Sequence, residues 1–492
     1  MNEHLEHLTP PPLWRHFRTL CNTPRPSGHE ARLVSLLERW AERQGLAHDR
    51  DGFGNLRIRK PASPGKEGAP GVILQGHLDM VAQANADHPH DFTSDPIETY
   101  VKEGWLHARH TTLGADNGLG VAAALAILED EQLVHGPLEA LFTLEEETSM
   151  AGALHLDEGW LEGNVLLNLD SEEQGEVFIG CAGGADIVVE AQLPTAPPEA
   201  DAIALQVAVT GLVGGHSGMD IHLGRGNANR LLVRVLRALE TYDIRLVDYR
   251  GGTLRNVIPR EAFATLVLPA DEFAAAERRV GEMEQELRAE LSGVDEGFRL
   301  AVSRLQAVPD EALNAHASRM LLAALNVAPC GVERMSTSLP DIVETSSNLG
   351  VVSVEEGRFY LCALVRSLRD SGVRDLADRF QGLFELIGAR TRVEHAYPGW
   401  NPVPDSALLQ RFQRLHVQLL GSKPAVKVIH AGLECGILAG KYPDLEMISF
   451  GPLIRGAHSP DERVELSSVE EFWQLLRALI EDLADAEPSA RR

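Results

Sequence analysis

Five histidine and carboxylate side chains in this sequence recur at the ends of apolar runs or beside them. The run Val72-Ile73-Leu74 stops at His77-Leu78-Asp79, Leu138 to Leu144 stops at Glu145-Glu146-Glu147, and Val165 to Leu169 stops at Asp170. Asp116 lies in the polar stretch Thr111 to Gly118 that opens an Ala-rich helical run, and His458 follows the apolar segment Met447 to Phe450. Singly these signals are weak, because an HxD tripeptide arises by chance and a glutamate run is usually a solvated face. Their shared placement carries the reading. An enzyme that cleaves an amide without a nucleophilic Ser or Cys must make hydroxide near neutral pH, and divalent metals do this by lowering the pKa of bound water towards ~7. Two such ions need imidazole ligands, a bridging carboxylate, and one acid left uncoordinated to take the proton. His77, Asp116, Glu147, Asp170 and His458 supply the ligands and Glu146 supplies the base. Asp79, two residues after His77 on an extended segment, faces the same side and orients that imidazole. A His/carboxylate set without thiolates suits two zinc ions per subunit, with cobalt or manganese as substitutes. Glu145 is a third carboxylate that strand alternation is expected to turn away; a shift of one residue would instead make Glu145 the base and Glu146 the ligand.

These side chains are far apart in sequence, so the fold has to gather them. In open α/β sheets the loops beyond the carboxyl ends of the strands share one crevice, and strand-like runs at 52–60 and 71–75 with a helical run at 119–130 suit such a sheet. From Leu13 to Leu46 the apolar spacing predicts amphipathic helices, with Ser27 as a helix cap and Glu30 three residues later. Between about 185 and 398 the texture changes. Strand-like 204–212, helical 227–241, strand-like RLVDYRGG and FATLVLP, and a charged helix at 271–291 make one block. Helical 317–326, strand-like NLGVVSVEE and FYLCALVRS, and helical 374–388 make a second, so that a β-α-β-β-α-β pattern occurs twice. The segment from about Gly399, with a helix at 405–420, a strand at Val426 to Ile429 and a helix at 467–485, returns to the first unit and brings His458 to its partners.

The rest of the composition narrows the function. The 492 residues carry 45 Lys+Arg against 72 Asp+Glu, a net charge of −27 that repels phosphate backbones and anionic lipid surfaces. Neither nucleic acid nor a membrane is an expected partner. No apolar helical run approaches the roughly 18–20 residues that span a bilayer, and the amino terminus shows no basic start followed by an apolar core, so a cytoplasmic location is expected. Cys21, Cys181, Cys330, Cys362 and Cys435 are scattered with no CxxC pair, which argues against a disulfide framework and against a thiolate zinc site. Neither GCAGG nor GGADI completes the GxGxxG fingerprint of a dinucleotide enzyme.

The stretches QGHLDMV (75–81), TTLGADNG (111–118), NLDSEEQGEVFIGCAGG (168–184), GGHSG (214–218), GNAN (226–229), GGTLRNVIPREAFAT (251–265), AYPGW (396–400), HAGLECG (430–436) and GAHSPDE (456–462), with the acidic pair at 146–147, carry a resemblance that spans the chain. It resembles the aminoacyl-histidine or cytosolic non-specific dipeptidases, within the dinuclear zinc metallopeptidases that include carnosinases and glutamate carboxypeptidases. The resemblance implies an α/β fold: a catalytic domain with a mixed sheet of the zinc-peptidase type, split between residues 1–184 and 399–492. An inserted α+β lid of two ferredoxin-like halves is expected at 185–398, serving also as the surface of a homodimer. It implies that Asp116 bridges the two metals, that His77 and Asp170 complete one site and Glu147 and His458 the other, that Glu146 is the general base and that Asp79 supports His77. His216 would reach a neighbouring subunit's site and stabilise the oxyanion, with Asn256 assisting, and Arg366 or Arg369 would bind the substrate carboxylate. The implied activity is hydrolysis of dipeptides, including Xaa-His substrates of the β-Ala-His type, by a metal-bridged hydroxide; the alternative is an N-acyl-amino-acid deacylase of the same clan. Where that pattern often reads TEEAGM, this chain has Glu145-Glu146-Glu147-Thr148-Ser149-Met150.

Overall fold

In the computed structural model, which describes residues 2–85 and 87–486, every residue of the strands Val72–His77, Leu138–Thr143 and Val165–Asn168 is buried. Burial on both faces is what a parallel sheet covered by helices demands. These strands pair in parallel, and Glu446–Ser449 adds in parallel to Val165–Asn168. Among the described residues they form the centre of an eight-stranded sheet, in the order 47–50, 56–60, 138–143, 72–77, 165–168, 446–449, 176–181, 425–429. Antiparallel pairing at 47–50 with 56–60, 56–60 with 138–143 and 446–449 with 176–181 makes the sheet mixed.

The helix Ala115–Glu129 is apolar all round from Leu119 to Leu128 and wholly buried there, so it must lie inside the fold. It packs between the strand Val72–His77 and the helix Pro11–Cys21. Pro11 and Pro12 open that outer helix, where a missing N–H costs nothing. The next helix, Ala31–Gln44, ends on Gly45 at φ 69, the left-handed stop that glycine adopts without strain. Ser27 does not cap it: the helix starts at Ala31 without a side-chain cap, and the Ser27 hydroxyl donates instead to Asp79 Oδ2 at 2.7 Å. The helices Ala407–Leu420 and Leu466–Ala484 pack on each other, and Phe17, Leu74, Leu125, Phe412 and Leu476 share one apolar core.

Residues Cys181–Gly399 with Ile429–Gly432 form the second compact unit, and Met1–Gly180, Trp400–Val428 and Leu433–Arg492 the first. The second unit is built on one continuous sheet with two halves. Strands 202–210, 245–251, 262–269 and 299–304 lie in the order fourth, first, third, second, which is the ferredoxin-like arrangement. Strands 183–192, 343–355, 358–367 and 390–397 lie in the same order reversed, and the halves join where Arg245–Gly251 pairs antiparallel with Val343–Glu355. The halves are nested, not consecutive as their blocks read in sequence. The strand that opens the second half, Gly183–Gln192, precedes the whole of the first. Residues 429–432, read from sequence as part of the closing segment, pack with this unit: His430 Nε2 lies 2.8 Å from Ser346 Oγ, and Ile429 accepts from Ala182 N at 3.0 Å. None of the five cysteines is in a disulfide, and no helix among the described residues is long and apolar enough to cross a membrane.

Candidate metal centre

The five sequence-read ligands and Glu146 meet at one end of the first unit's sheet. Three groups of ligand atoms each lie within 4.8 Å of one another: His77 with Asp116 and Asp170, His77 with Glu146 and Glu147, and Asp116 with Glu147 and His458. The Asp116 carboxylate stands between the two imidazoles, with Oδ1 3.0 Å from His77 Nε2 and Oδ2 3.3 Å from His458 Nε2. His77 Nε2 also lies 3.4 Å from Asp170 Oδ1, and His458 Nε2 lies 2.9 Å from Glu147 Oε2. Glu145 belongs to none of these groups. Strand alternation is not the reason: the strand ends at Thr143, Glu145 turns through φ 53, and Glu146–Ser149 is a single helical turn.

Local sequence explains the reach of each side chain. His77 closes its strand, and Asp79 beyond it is fully buried. The Asp79 carboxylate takes His77 Nδ1 at 3.2 Å, Glu146 N at 3.0 Å, Glu147 N at 3.1 Å and the Ser27 hydroxyl at 2.7 Å. One anion therefore fixes both the imidazole and the turn that carries the glutamates. Asp116 and Asn117 depart from helical geometry at the mouth of the helix Ala115–Glu129, and the peptide between them is cis. Asn117 is held by its Nδ2 on Leu169 O at 2.7 Å, one residue before Asp170.

The electrostatics are those of acids crowded without enough positive charge. Burial pushes the Asp170 carboxyl up to about 7, with Asp116 and Glu434 adding to the push against the pull of His77. Burial likewise holds Glu146 well above the usual range, His77 opposing and Asp170, Glu434 and Glu147 reinforcing. Burial works against the His77 imidazolium, yet Asp170, Asp116 and Asp79 together raise it well above its ordinary value. Hydrogen bonds that the His458 ring donates to Asp116 and Glu147 raise it to about 11. Asp79 is raised by burial and lowered further by His77, Ser27 and the Glu146 amide, to about 2. Glu147 Oε1 is buried with no hydrogen-bond donor, and one His77 N–H faces two carboxylates. Such lone pairs are costly unless a cation takes them, and oxygen and imidazole donors in this number suit divalent ions. The donor set fits a metal centre.

The four remaining sequence-read residues belong to the second unit. His216 pairs across from Val257, and its Nδ1 accepts from Gly218 N at 3.2 Å and Met219 N at 3.0 Å. Nε2 is thus the protonated nitrogen, and burial followed by the charge of Arg366 keeps the ring's pKa below 6.5. Arg366 is buried and donates to the Tyr397 hydroxyl at 2.8 Å while its Nε has no partner. A Cβ on Gly218 would meet both His216 Cε1 and Arg366 Nε, so these two residues converge. Asn256 is exposed and joins them through the backbone, its carbonyl accepting from Ser217 N. Arg369 does not: it pairs with Glu344 at 3.5 Å, beside Arg334 on the same carboxylate.

Sequence reasoning missed the buried charges that hold the loops. Arg25 donates to Leu78 O, Asp79 O and Gly114 O, Glu462 accepts from the backbone at 113–116, and Glu434 takes Gln75 Nε2 at 2.7 Å and Thr143 Oγ1 at 2.8 Å. Glu434 and Glu462 lie within HAGLECG and GAHSPDE, but nothing in their spacing marks them as inward-facing.

Comparison with known proteins gives consistent findings. The sequence profile of peptidase family M20/M25/M40 matches residues 73–482. The chain is 44% identical over 480 residues, 97% of its length and 99% of the other, to the cytosol non-specific dipeptidase of Escherichia coli strain K12. It superposes on the aminoacylhistidine dipeptidase of Vibrio alginolyticus with a TM-score of 0.94 and 43% identity, covering 99% of each chain. The aminopeptidase PepT of Bacillus cereus shares the fold at a TM-score of 0.56 and 15% identity, over 97% of this chain and 100% of that one.

Proposed function

The chain belongs to peptidase family M20/M25/M40, and from that premise we propose that it is a metal-dependent dipeptidase that hydrolyses dipeptides, Xaa-His substrates of the β-Ala-His type included. The observation that carries the reading is the single Asp116 carboxylate turned by one oxygen to His77 and by the other to His458. His77, Asp116 and Asp170 would hold one divalent cation and Asp116, Glu147 and His458 the second, with zinc favoured by the donors and cobalt or manganese able to replace it. Bound there, such ions lower the pKa of water and polarise a carbonyl oxygen.

Glu146 does the proton work. Its carboxylate takes a proton from the attacking water as the new C–O bond forms at the scissile carbonyl carbon, and returns it to the leaving nitrogen as the C–N bond breaks. Asp79 keeps the Glu146 turn and the His77 ring in register during both transfers, through its three hydrogen bonds and its close contact with His77 Nδ1. The protonated His216 Nε2 donates to the developing oxyanion, Arg366 meets the substrate carboxylate, and Asn256 assists. Arg369 is the less suitable of the two arginines, being engaged by Glu344. The reading includes a homodimer formed through the second unit, in which His216 of one protomer serves the site of its partner, and a cytoplasmic location, as the name of the Escherichia coli relative suggests.

The test is a panel of dipeptides, with Ala-His and β-Ala-His set against N-acetyl amino acids, before and after chelation and with zinc, cobalt or manganese restored. Dipeptides are expected to turn over, chelation to stop it and metal to restore it. Glu146→Gln is expected to keep its metal content and lose ~10²–10⁴-fold in kcat. Turnover of N-acetyl amino acids alone would make the chain a deacylase, and full activity after exhaustive chelation would remove the metal from the mechanism.

A further inference from the structure

Glu462 follows His458 by four residues on the same loop and is 2% exposed. Its carboxylate accepts from four successive backbone amides: Oε2 from Leu113 at 2.7 Å and Gly114 at 3.0 Å, Oε1 from Ala115 at 2.8 Å and Asp116 at 3.3 Å. The last of these is the amide of Asp116 itself. The Gly114 carbonyl, pointing the other way, receives Arg25 Nη2 at 2.6 Å, while Arg25 Nη1 donates to Leu78 O at 2.9 Å and Asp79 O at 2.7 Å. A buried anion and a buried cation thus grip the same short segment from opposite sides, and the anion ties it to the loop that carries His458. That loop is short and turned: His458 has φ 63, Ser459 N bonds Gly456 O at 3.2 Å, and Glu462 N bonds Ser459 O at 3.0 Å.

We propose that Glu462 is a positioning residue that sets the reach of Asp116 and His458 together, and so governs one of the two cation positions more than the other. The inference rests on the metal reading above. Of the group Asp116, Glu147 and His458, two members depend on Glu462 for placement. Of the group His77, Asp116 and Asp170, only one does, because His77 ends a strand paired on both sides and is held by Asp79, and Asp170 follows the strand Val165–Asn168. Loss of the carboxylate therefore loosens the first group before the second.

Glu462→Gln preserves shape but turns an amide NH₂ towards two of the four backbone N–H groups, so donors face donors. The experiment measures zinc per chain by elemental analysis after dialysis against graded chelator, the visible spectrum of the cobalt-loaded protein, and kcat and KM separately. Expected for Glu462→Gln is retention of about one ion where the wild type holds two, an altered cobalt spectrum, and a kcat reduced at least tenfold with KM changed less than about threefold. Glu462→Asp, which keeps the charge, is expected to fall between the two, and it takes the place of Glu462→Gln in every readout if the amide variant does not fold. Two ions held as firmly as in the wild type, or both lost together, would overturn the inference alone. A wild-type protein that holds no ion would overturn the metal reading and this inference with it.

Discussion

Replacing Asp79 by Asn removes one charge and almost no volume, so its effect isolates the hydrogen bonds that the carboxylate accepts. Oδ1 takes Glu146 N and His77 Nδ1, and Oδ2 takes Glu147 N and the Ser27 hydroxyl. With the Asn oxygen on the first pair, its NH₂ confronts the Glu147 amide; with the orientation reversed, it confronts both the Glu146 amide and the His77 N–H. The better orientation still leaves one buried donor unsatisfied, costing about 1–3 kcal/mol, and reduces the remaining bonds from charged to neutral strength, about 1 kcal/mol apiece. The sum is about 3–5 kcal/mol in a site that is 0% exposed at residue 79. At ~2 °C per kcal/mol for a unit of this size, the thermal midpoint should drop by ~6–10 °C. The His77 ring and the glutamate turn lose their common anchor, so kcat should fall about 10–100-fold with metal affinity. Scanning fluorimetry and steady-state kinetics on one preparation measure both, with Ser27→Ala, which removes one donor to the same carboxylate, as the comparison expected to lose about 1.5–3 kcal/mol. A midpoint within 1 °C of wild type together with undiminished kcat would refute the claim that Asp79 positions anything.

A Cβ added at Gly76 would run into Asn117 Oδ1, so Gly76→Ala should cost about 1–3 kcal/mol and loosen metal, read as a lower thermal midpoint and fewer ions per chain after dialysis. Arg57 is buried against Asp49 at 2.8 Å and Glu139 at 3.3 Å, and Arg57→Met should destabilise by about 2–3 kcal/mol at pH 7. The Arg57 hydrogen bond holds Asp49 below its ordinary 3.8, so this pairing stabilises above pH 3.8 and is lost as pH falls through the folded value. The gap between wild type and variant in urea titrations should therefore narrow below about pH 4, and a gap constant from pH 7 to 3 would contradict the assignment. Arg366→Gln should raise KM for dipeptides at least tenfold while leaving metal content unchanged, because Arg366 touches Tyr397 and no carboxylate of the metal groups.

Much of the site was legible because parallel strands advertise themselves. Val72-Ile73-Leu74, Leu138 to Leu144 and Val165 to Leu169 are mostly apolar on both faces, Glu139, Thr143 and Asn168 excepted, and the polar residue where each run stops has only the sheet's end to occupy. The same rule explains why Asp116 is found at the mouth of the Ala-rich helix. Residues that act through backbone are harder to see. Glu462 and Arg25 contact amides and carbonyls far along the chain, 349 residues from Glu462 to Leu113 and 89 from Arg25 to Gly114, and no side-chain pattern encodes that. Ser27 shows the opposite error: its spacing to Glu30 matched a helix cap, but a tertiary acceptor, Asp79, competed successfully for its hydroxyl. The nested order of the ferredoxin-like halves was hidden for a topological reason, since strand Gly183–Gln192 pairs with Arg358–Ser367 and neighbours in sequence gave no hint of it.

The strand Glu446–Ser449 sits inside the first sheet, between Val165–Asn168 and Glu176–Cys181, yet it leaves the ribosome long after both of them. Until it arrives, two hydrophobic strands made much earlier present open edges, the kind of template that invites pairing with other chains. His458, 342 residues beyond Asp116, emerges later still. Nascent chains of this architecture must therefore wait with an incomplete sheet, and any truncation before residue 446 should aggregate rather than yield a smaller soluble protein.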